Sequence, residues 1–308
     1  MGLAAAGSRF ASPGELSGAL GDVGYLADHE VASAAFLALR LNRPLFCEGE
    51  PGTGKTALAQ SLAKVLDCPL IRLQCYEGID ASTALYDWDF PRQLMHLRSI
   101  EAAGVVNGEH LDSNDVESAL YSERFLLARP ILRSLQTTPS VLLIDEIDRA
   151  DDEFEAFLLQ VLADYTISIP ELGEISASEP PVVVLTSNRT REVHDALKRR
   201  CLYLWLDHPD AVRQVEILRN ALPEVAERLT REVAAAVTAL RGADLIKPPG
   251  TAEALDWAQA LHVIGSTRLD LNSATETMGA ALKYREDAEL ALKTLREWLF
   301  SEVAPGYE

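Results

Sequence analysis

Apolar positions along this chain follow two regimes, short continuous runs before residue 208 and helical spacing after it. From Asp28 to Leu41 the apolar set Val31, Ala35, Leu37 and Leu41 recurs at helical spacing, and Pro44-Leu45-Phe46-Cys47 reads as a short buried strand. A glycine-rich turn follows. Leu58, Leu62 and Val65 then predict a helix over Thr56 to Leu66, and Leu70 to Gln74 reads as a second strand. Pro139 to Asp145 and Pro181 to Leu185 are unbroken apolar runs, the pattern of strands covered on both faces, so they predict a parallel sheet. Leu202 to Leu206 alternates into a final strand before His208-Pro209-Asp210, where the proline marks a domain boundary. Beyond it, Ala211 to Ala221, Leu222 to Leu240, Glu253 to Ala260 and Ser273 to Phe300 read as helices. The expectation is an α/β domain over residues 21–208 and a smaller all-helical domain over 209–308. Residues 1–20, rich in Ala, Gly and Ser and without a sustained period, read as a loosely ordered leader.

Within this frame one segment carries unmistakable chemistry. Gly49-Glu50-Pro51-Gly52-Thr53-Gly54-Lys55-Thr56 is a complete phosphate-loop motif, set between a predicted strand and a predicted helix. Its glycines let backbone amides curl into a nest for phosphate, Lys55 neutralises the β and γ oxygens, and the Thr56 hydroxyl is a ligand for Mg2+. A plain Gly-rich turn would need neither the Lys-Thr pair nor the flanking elements. Val141-Leu142-Leu143-Ile144-Asp145-Glu146 delivers two carboxylates at the C-terminal end of a buried strand, where open α/β sheets hold their ligands. Asp145 would hold Mg2+ and Glu146 would polarise the attacking water of ATP hydrolysis. The Asp148, Asp151, Asp152 and Glu153 that follow read as a solvated acidic turn.

Two weaker features gain meaning from that pair. Val182 to Asn188 is a further buried strand ending in small polar residues, and Asn188 would bond the γ-phosphate or the lytic water, although Asn after a strand is also a common turn former. Lys198-Arg199-Arg200 precedes the last strand. These arginines are either fingers that stabilise transition-state charge or an exposed basic helix end favoured by the helix dipole.

Composition leaves the picture intact and charge trims it. The 308 residues are 48% hydrophobic and 24% charged, a globular composition long enough to bury cores without staples. Against 28 Lys+Arg stand 47 Asp+Glu, a net charge of −19 that repels nucleic-acid backbones and anionic membranes at long range. Sequence-independent nucleic-acid binding is therefore disfavoured. No run approaches the roughly 18–20 apolar residues of a membrane span, and Met1-Gly2-Leu3-Ala4-Ala5-Ala6 lacks a basic region ahead of an apolar core, so the chain reads as cytoplasmic. Cys47, Cys68, Cys75 and Cys201 form no close pair, which points to buried reduced thiols rather than zinc or redox chemistry.

The order of phosphate loop, acidic strand, Asn-ended strand, arginine pair and helical domain resembles the AAA+ ATPases, from about Tyr25 to the C-terminal helices. It is most similar to the MoxR group and its CoxD-like branch. Pro44 to Gly52 resembles that group's approach to the loop, Arg72-Leu73-Gln74-Cys75-Tyr76-Glu77-Gly78 its second strand, Thr166 to Gly173 its hairpin, and Leu185 to Glu192 its Asn-ended strand. The resemblance implies an AAA+ P-loop core with a helical lid, ATP and Mg2+ as ligands, and a hexameric ring with ATP between subunits. It makes Arg200 the first choice for a finger acting in trans, with Arg199 second. It also implies a von Willebrand factor A domain adaptor and a client metalloenzyme, such as a molybdenum hydroxylase, that is matured or activated.

The insert Glu77 to Arg98, with Tyr86, Trp88, Phe90 and Met95, matches the group's client-facing insert, and it equally fits a local apolar cluster. The chain departs from many AAA+ proteins in the lid. Lys247-Pro248-Pro249-Gly250-Thr251-Ala252-Glu253 places Glu253 where an arginine facing γ-phosphate is expected, and Lys247 is the one cation nearby. The preferred reading is an ATP-driven remodeller of a client protein. The alternatives are a nucleotide switch with little turnover and, against the charge, a nucleic-acid motor.

Overall fold

The computed structural model describes residues 9–107 and 119–302, with the side chains of 101–107 and 301–302 left aside. The first described element corrects the sequence reading. Residues 1–8 of the expected leader lie outside the described residues, but Pro13–Asp22 form a helix, α1, in which Leu16 and Leu20 are fully buried. Its start is capped: the Glu15 N–H donates to the Ser12 hydroxyl (3.3 Å) and the Ala11 N–H to the Glu15 carboxylate (2.7 Å), with Pro13 at the first helical position. The small-residue composition concealed that signal.

Helix α2 (His29–Leu41) leads into β1 (Leu45–Gly49), the phosphate loop and α3 (Lys55–Leu66). After β2 (Leu70–Gln74) the chain forms α4 (Ala81–Leu85), β3 (Tyr86–Trp88), α5 (Phe90–Asn107), β4 (Leu126–Ala128) and α6 (Pro130–Gln136). Strand β5 (Val141–Asp145) is followed by α7 (Asp152–Asp164), the antiparallel hairpin β6 (Thr166–Ile169) and β7 (Gly173–Ser176), β8 (Val182–Ser187), α8 (Asp195–Arg200) and β9 (Leu202–Leu206). The five long strands make one sheet in the order β2-β5-β8-β1-β9. β5 pairs in parallel with both neighbours, and the register sets Gln74 opposite Asp145.

All five residues of β5 are buried, as are those of β1, which is why these strands read as unbroken apolar runs. Phe46 of β1 and Leu142 and Ile144 of β5 join one core with Ile71, Leu73, Leu132, Phe154, Leu158 and Val183. The insert is unevenly buried. Trp88 and Tyr86 belong to this core, with Trp88 edge-on to Tyr121 at 5.2 Å, and β3 is tied to β4 in an antiparallel ribbon. Phe90 and Met95 on α5 are instead 60% and 72% exposed.

The C-terminal part is all-helical, as expected: α9 (Ala211–Ala221), α10 (Glu227–Arg241), α11 (Thr251–Val263), α12 (Leu271–Ala281) and α13 (Asp287–Glu302). Two boundaries differ from the sequence reading. α10 begins after the turn at Leu222-Pro223, and the single helix expected over Ser273 to Phe300 is two. The break is held by Asp287, buried at the start of α13, whose carboxylate accepts the Ile246 N–H (2.8 Å) and Lys247 N–H (3.1 Å). Leu229, Val233, Val237, Trp257, Leu261 and Leu295 form this part's own core, where the Trp257 indole donates to the Thr277 hydroxyl at 2.8 Å.

Two compact units result. One comprises the chain up to Leu16, His29–Cys47 and Leu62–Leu204; the other comprises Ser17–Asp28, the phosphate loop within Glu48–Ser61, and everything from Trp205 onward. The grouping therefore differs from a single cut at residue 208.

Candidate functional site

The phosphate loop belongs to the helical unit, and each glycine in it answers to a local constraint. At Gly49 a Cβ would sit 2.2 Å from the Leu206 carbonyl oxygen, so a side chain has no room. Gly52 (φ +80°) and Gly54 (φ +94°) occupy the left-handed region that glycine adopts without steric cost. The loop is braced from within: the Thr53 hydroxyl donates to the Glu50 carbonyl at 2.9 Å. Lys55 is buried, and its ammonium donates to the carbonyls of Gly49 (2.8 Å) and Glu50 (2.7 Å). Thr56 follows it in the first turn of α3, at the helix end whose unpaired amides favour anions. Glu50 is exposed and its carboxylate lies 3.0 Å from His208 Nε2. Burial, reinforced by the Arg241 guanidinium, holds the His208 pKa below its ordinary value, against the pull of Glu50 and Glu253.

The lid segment around Glu253 and Lys247 is fixed largely through its backbone. Glu253 is the third residue of α11, and its carboxylate accepts the Gly250 N–H at 3.0 Å, capping the helix start from within. The Lys247 backbone N–H is bound to Asp287. The Thr251 N–H donates to the Gly52 carbonyl at 3.0 Å, so it is the backbone of this turn that meets the loop.

The acidic strand end belongs to the α/β unit. Asp145, 3% exposed, receives the Thr186 hydroxyl on Oδ1 at 2.5 Å and the Arg72 guanidinium on Oδ2 at 2.6 Å. Glu146 turns the chain out of the sheet with φ +55°, a left-handed conformation rare for a residue with a side chain and frequent at functional sites. Its N–H donates to Thr186 Oγ1 at 2.9 Å. Its carboxylate accepts from Gln74 Nε2 (3.0 Å) and Asn188 Nδ2 (3.4 Å) and pairs with Arg149 Nε at 3.0 Å. The expected pair Glu146 and Asn188 is thus brought together.

Asp148 corrects the sequence reading. Far from lying in a solvated turn, it is 3% exposed and its Oδ2 accepts the N–H groups of Asn188 (3.2 Å) and Thr190 (2.9 Å) and the Thr190 hydroxyl (2.7 Å). It therefore fixes the loop that carries Asn188. Asp151 caps α7 by accepting the Phe154 N–H at 2.8 Å, and Asp152, on the surface, bridges to Arg191 at 3.0 Å. Behind Asp145, burial and the neighbouring carboxylates push the Cys75 thiol up to about 12.

Arg199 and Arg200 end α8 with both side chains exposed. The Arg43 guanidinium donates to the carbonyls of Arg199 (2.8 Å), Arg200 (3.1 Å) and Cys201 (3.2 Å), capping that helix end. Thr186, Gln74, Arg72, Arg149 and Arg43 all take part in this geometry and had no role in the sequence reading. Gln74 and Arg72 reach the acidic pair only through the β2–β5 register, which no local pattern encodes.

Each unit by itself carries donors of the type Mg-nucleotide takes: in the loop, a lysine on the loop carbonyls and the Thr56 hydroxyl; at the strand end, the Asp145 carboxylate. Residues 44–201 match the model of the AAA domain, dynein-related subfamily. An uncharacterized protein of Staphylococcus aureus (strain bovine RF122 / ET3-1) is 26% identical over 205 residues, 64% of this chain and 66% of its own. An uncharacterized protein from strain USA300 gives the same identity and coverage. The chain thus spans 66% of the length of these relatives. Among solved structures, the Holliday junction branch migration motor RuvB of Thermotoga maritima is 19% identical with a TM-score of 0.45, covering 80% of this chain and 65% of its own. A single-residue mutant of RuvB gives 0.48 at 19% identity, with 81% and 67% covered.

Proposed function

The chain belongs to the dynein-related AAA family, and from that premise we propose that it hydrolyses ATP in a ring of its own copies and uses the cycle to remodel a client protein. The observation that carries this reading is Glu146, held on its strand end by Gln74, Asn188 and Arg149 beside the buried Asp145. A carboxylate so placed serves as the base that orients and deprotonates the attacking water. Thr56 and Asp145 are the residues that would hold Mg2+, which would supply positive charge against the phosphates.

Each residue then has a task. Lys55 leaves the Gly49 and Glu50 carbonyls for the phosphates, and the loop amides take the remaining charge. Arg72 and Thr186 orient Asp145, as hydrogen-bond partners orient a carboxylate that holds a metal. Asn188, set by Asp148, orients the water that Glu146 activates. The exposed position of Arg200 at the end of α8 suits a guanidinium acting on a neighbouring copy's nucleotide, with Arg199 as the second candidate.

The finer identity rests on the MoxR-like motifs: a CoxD-like protein working with a von Willebrand factor A domain adaptor on a metalloenzyme. The exposed Phe90 and Met95 offer apolar contact area for such a client. The test is sizing by light scattering with and without ATP and Mg2+, alongside ATPase rate against protein concentration. An ATP-dependent assembly of about six copies is expected, with a rate per subunit that rises with concentration. Arg200→Ala should abolish turnover and keep ATP binding, because finger arginines contribute about 10³–10⁵ in rate. A monomer whose rate per subunit is independent of concentration would defeat the ring mechanism.

A further inference from the structure

The first turn of α11 touches the phosphate loop through main-chain atoms alone. The Thr251 N–H donates to the Gly52 carbonyl at 3.0 Å. The approach is close enough that a Cβ on Gly250 would lie 3.0 Å from both Gly52 Cα and the Pro51 carbonyl oxygen. A Cβ on Gly52 would in turn lie 3.1 Å from Gly250 Cα and from the Glu253 carboxylate. The Glu253 carboxylate is nearer still, 2.9 Å from where a Cβ on Gly250 would lie, so a side chain there would press on loop backbone and helix cap together.

The turn is built to stay in place. The Glu253 carboxylate holds the Gly250 N–H at 3.0 Å. The Arg241 side chain ties three parts of the unit together, donating to the carbonyls of Pro249 (2.8 Å) and Pro209 (3.1 Å) and to Gln214 Oε1 (3.0 Å). Gln214 is fully buried. His208, next to Pro209, meets Glu50 of the same loop at 3.0 Å. The loop is thus gripped at Glu50 and at Gly52, and Arg241 joins the two grips.

The contact at Gly52 has a geometric consequence. In a planar trans peptide the C=O and the following N–H point in opposite directions. Anchoring the Gly52 carbonyl on Thr251 therefore directs the Thr53 N–H away from the lid turn, to the other side of the loop backbone. Lone glycines flip such a peptide unit readily, and Gly52 already sits at φ +80°. The hydrogen bond from the lid selects one of the two orientations.

We propose that Gly250 and Thr251 are positioning residues for the phosphate loop: the α11 turn sets the Gly52–Thr53 peptide by a main-chain hydrogen bond, doing with backbone what a lid arginine would do with charge. This rests on the reading of the loop as a nucleotide site. Glu253 then has a role that an acid can fill, since it caps the turn and does not face phosphate.

Two variants break the contact without harming the helix. Gly250→Ser adds the wedging Cβ at a backbone conformation (φ −80°, ψ −172°) open to any residue, and serine is a favoured N-cap. Thr251→Pro removes the donor at the first helical position, where proline is well tolerated. Each is compared with wild type by fluorescent ADP and ATP titration, by hydrogen exchange of the Thr251 amide, and by thermal melting. The expected result is a tenfold or greater loss of affinity for both nucleotides in both variants, with little change in melting temperature. The Thr251 amide should be protected in nucleotide-free wild type and exchange freely in Gly250→Ser. Thr251→Ala, which keeps the N–H, should restore wild-type affinity.

Affinities within twofold of wild type in both disrupting variants would overturn the proposal. So would a Thr251 amide that exchanges freely in the wild-type protein, a result that stands even if a variant fails to fold. Wild type that binds no nucleotide would defeat the nucleotide reading itself, and the amide measurement would still decide whether the turn holds the loop.

Discussion

Removing one hydroxyl group tests the acidic strand end most sharply. The Thr186 hydroxyl donates to Asp145 Oδ1 at 2.5 Å and accepts the Glu146 N–H at 2.9 Å, joining both candidate site carboxylates' residues to β8. Thr186→Val keeps the volume and deletes both bonds. A hydrogen bond to a charged group is worth about 1.5–3 kcal/mol, and a buried N–H left without an acceptor costs about 1–3 kcal/mol. Arg72 continues to compensate Asp145, and the left-handed turn at Glu146 relaxes in part, so the net loss should be about 3 kcal/mol rather than the full sum. The assay is native-state hydrogen exchange of the β5 amides, which open by local or global unfolding. A loss of that size speeds their exchange ~100-fold, since each 1.4 kcal/mol is a factor of ten. Thr186→Ser, which retains the hydroxyl, should recover most of the protection. Exchange in Thr186→Val within threefold of wild type would refute the claim that this hydroxyl holds the strand end together.

Two further outcomes follow from the titrating groups. Because burial and Arg241 depress the His208 pKa, the unfolded chain takes up this proton first on acidification; the stabilisation is complete above the unfolded value of about 6.5 and is lost as pH falls through it towards the folded value. The melting temperature of wild type should therefore drop more steeply from pH 7 to 5.5 than that of His208→Gln, and parallel slopes would contradict the assignment. The Cys75 and Cys201 thiols, both pushed up to about 12 chiefly by burial, should resist iodoacetamide in the native protein at about pH 8 and react on denaturation. Peptide mass mapping that finds Cys75 alkylated as fast in native as in unfolded protein would show the pocket behind Asp145 to be open.

What could be read from the chain alone was whatever local pattern encodes. The phosphate loop, the β5 run into Asp145 and Glu146, and the helices of the C-terminal part declare themselves through spacing, because burial on both faces demands unbroken apolar strands and one-sided burial demands a helical period. Asn188 is legible only as part of a set, and the hydrogen bond to Glu146 shows why: its role depends on β5, the neighbouring strand in the sheet, rather than on its own sequence. Asp148 escapes for the same reason, since an acid closely followed by Asp151, Asp152 and Glu153 looks solvated until the loop that covers it is known. Helix α1 is masked by its small-residue composition, although the Ser12 cap and Glu15 lie in plain view. Arg72, Gln74 and Arg43 were out of reach, as each acts through long-range register or packing.

The phosphate loop itself carries a lesson about how a motif is authored. Its three glycines have three different sponsors: the Leu206 carbonyl excludes a side chain at Gly49, the Gly250 turn crowds Gly52, and Gly54 bends left-handed beside the Tyr25 ring. None of these demands comes from a ligand. The eight letters are a record of the company the loop keeps, so grafting them onto a foreign scaffold would transfer the spelling and leave behind the neighbours that give it shape. A transplanted loop would need its β9 carbonyl and its lid turn brought along with it.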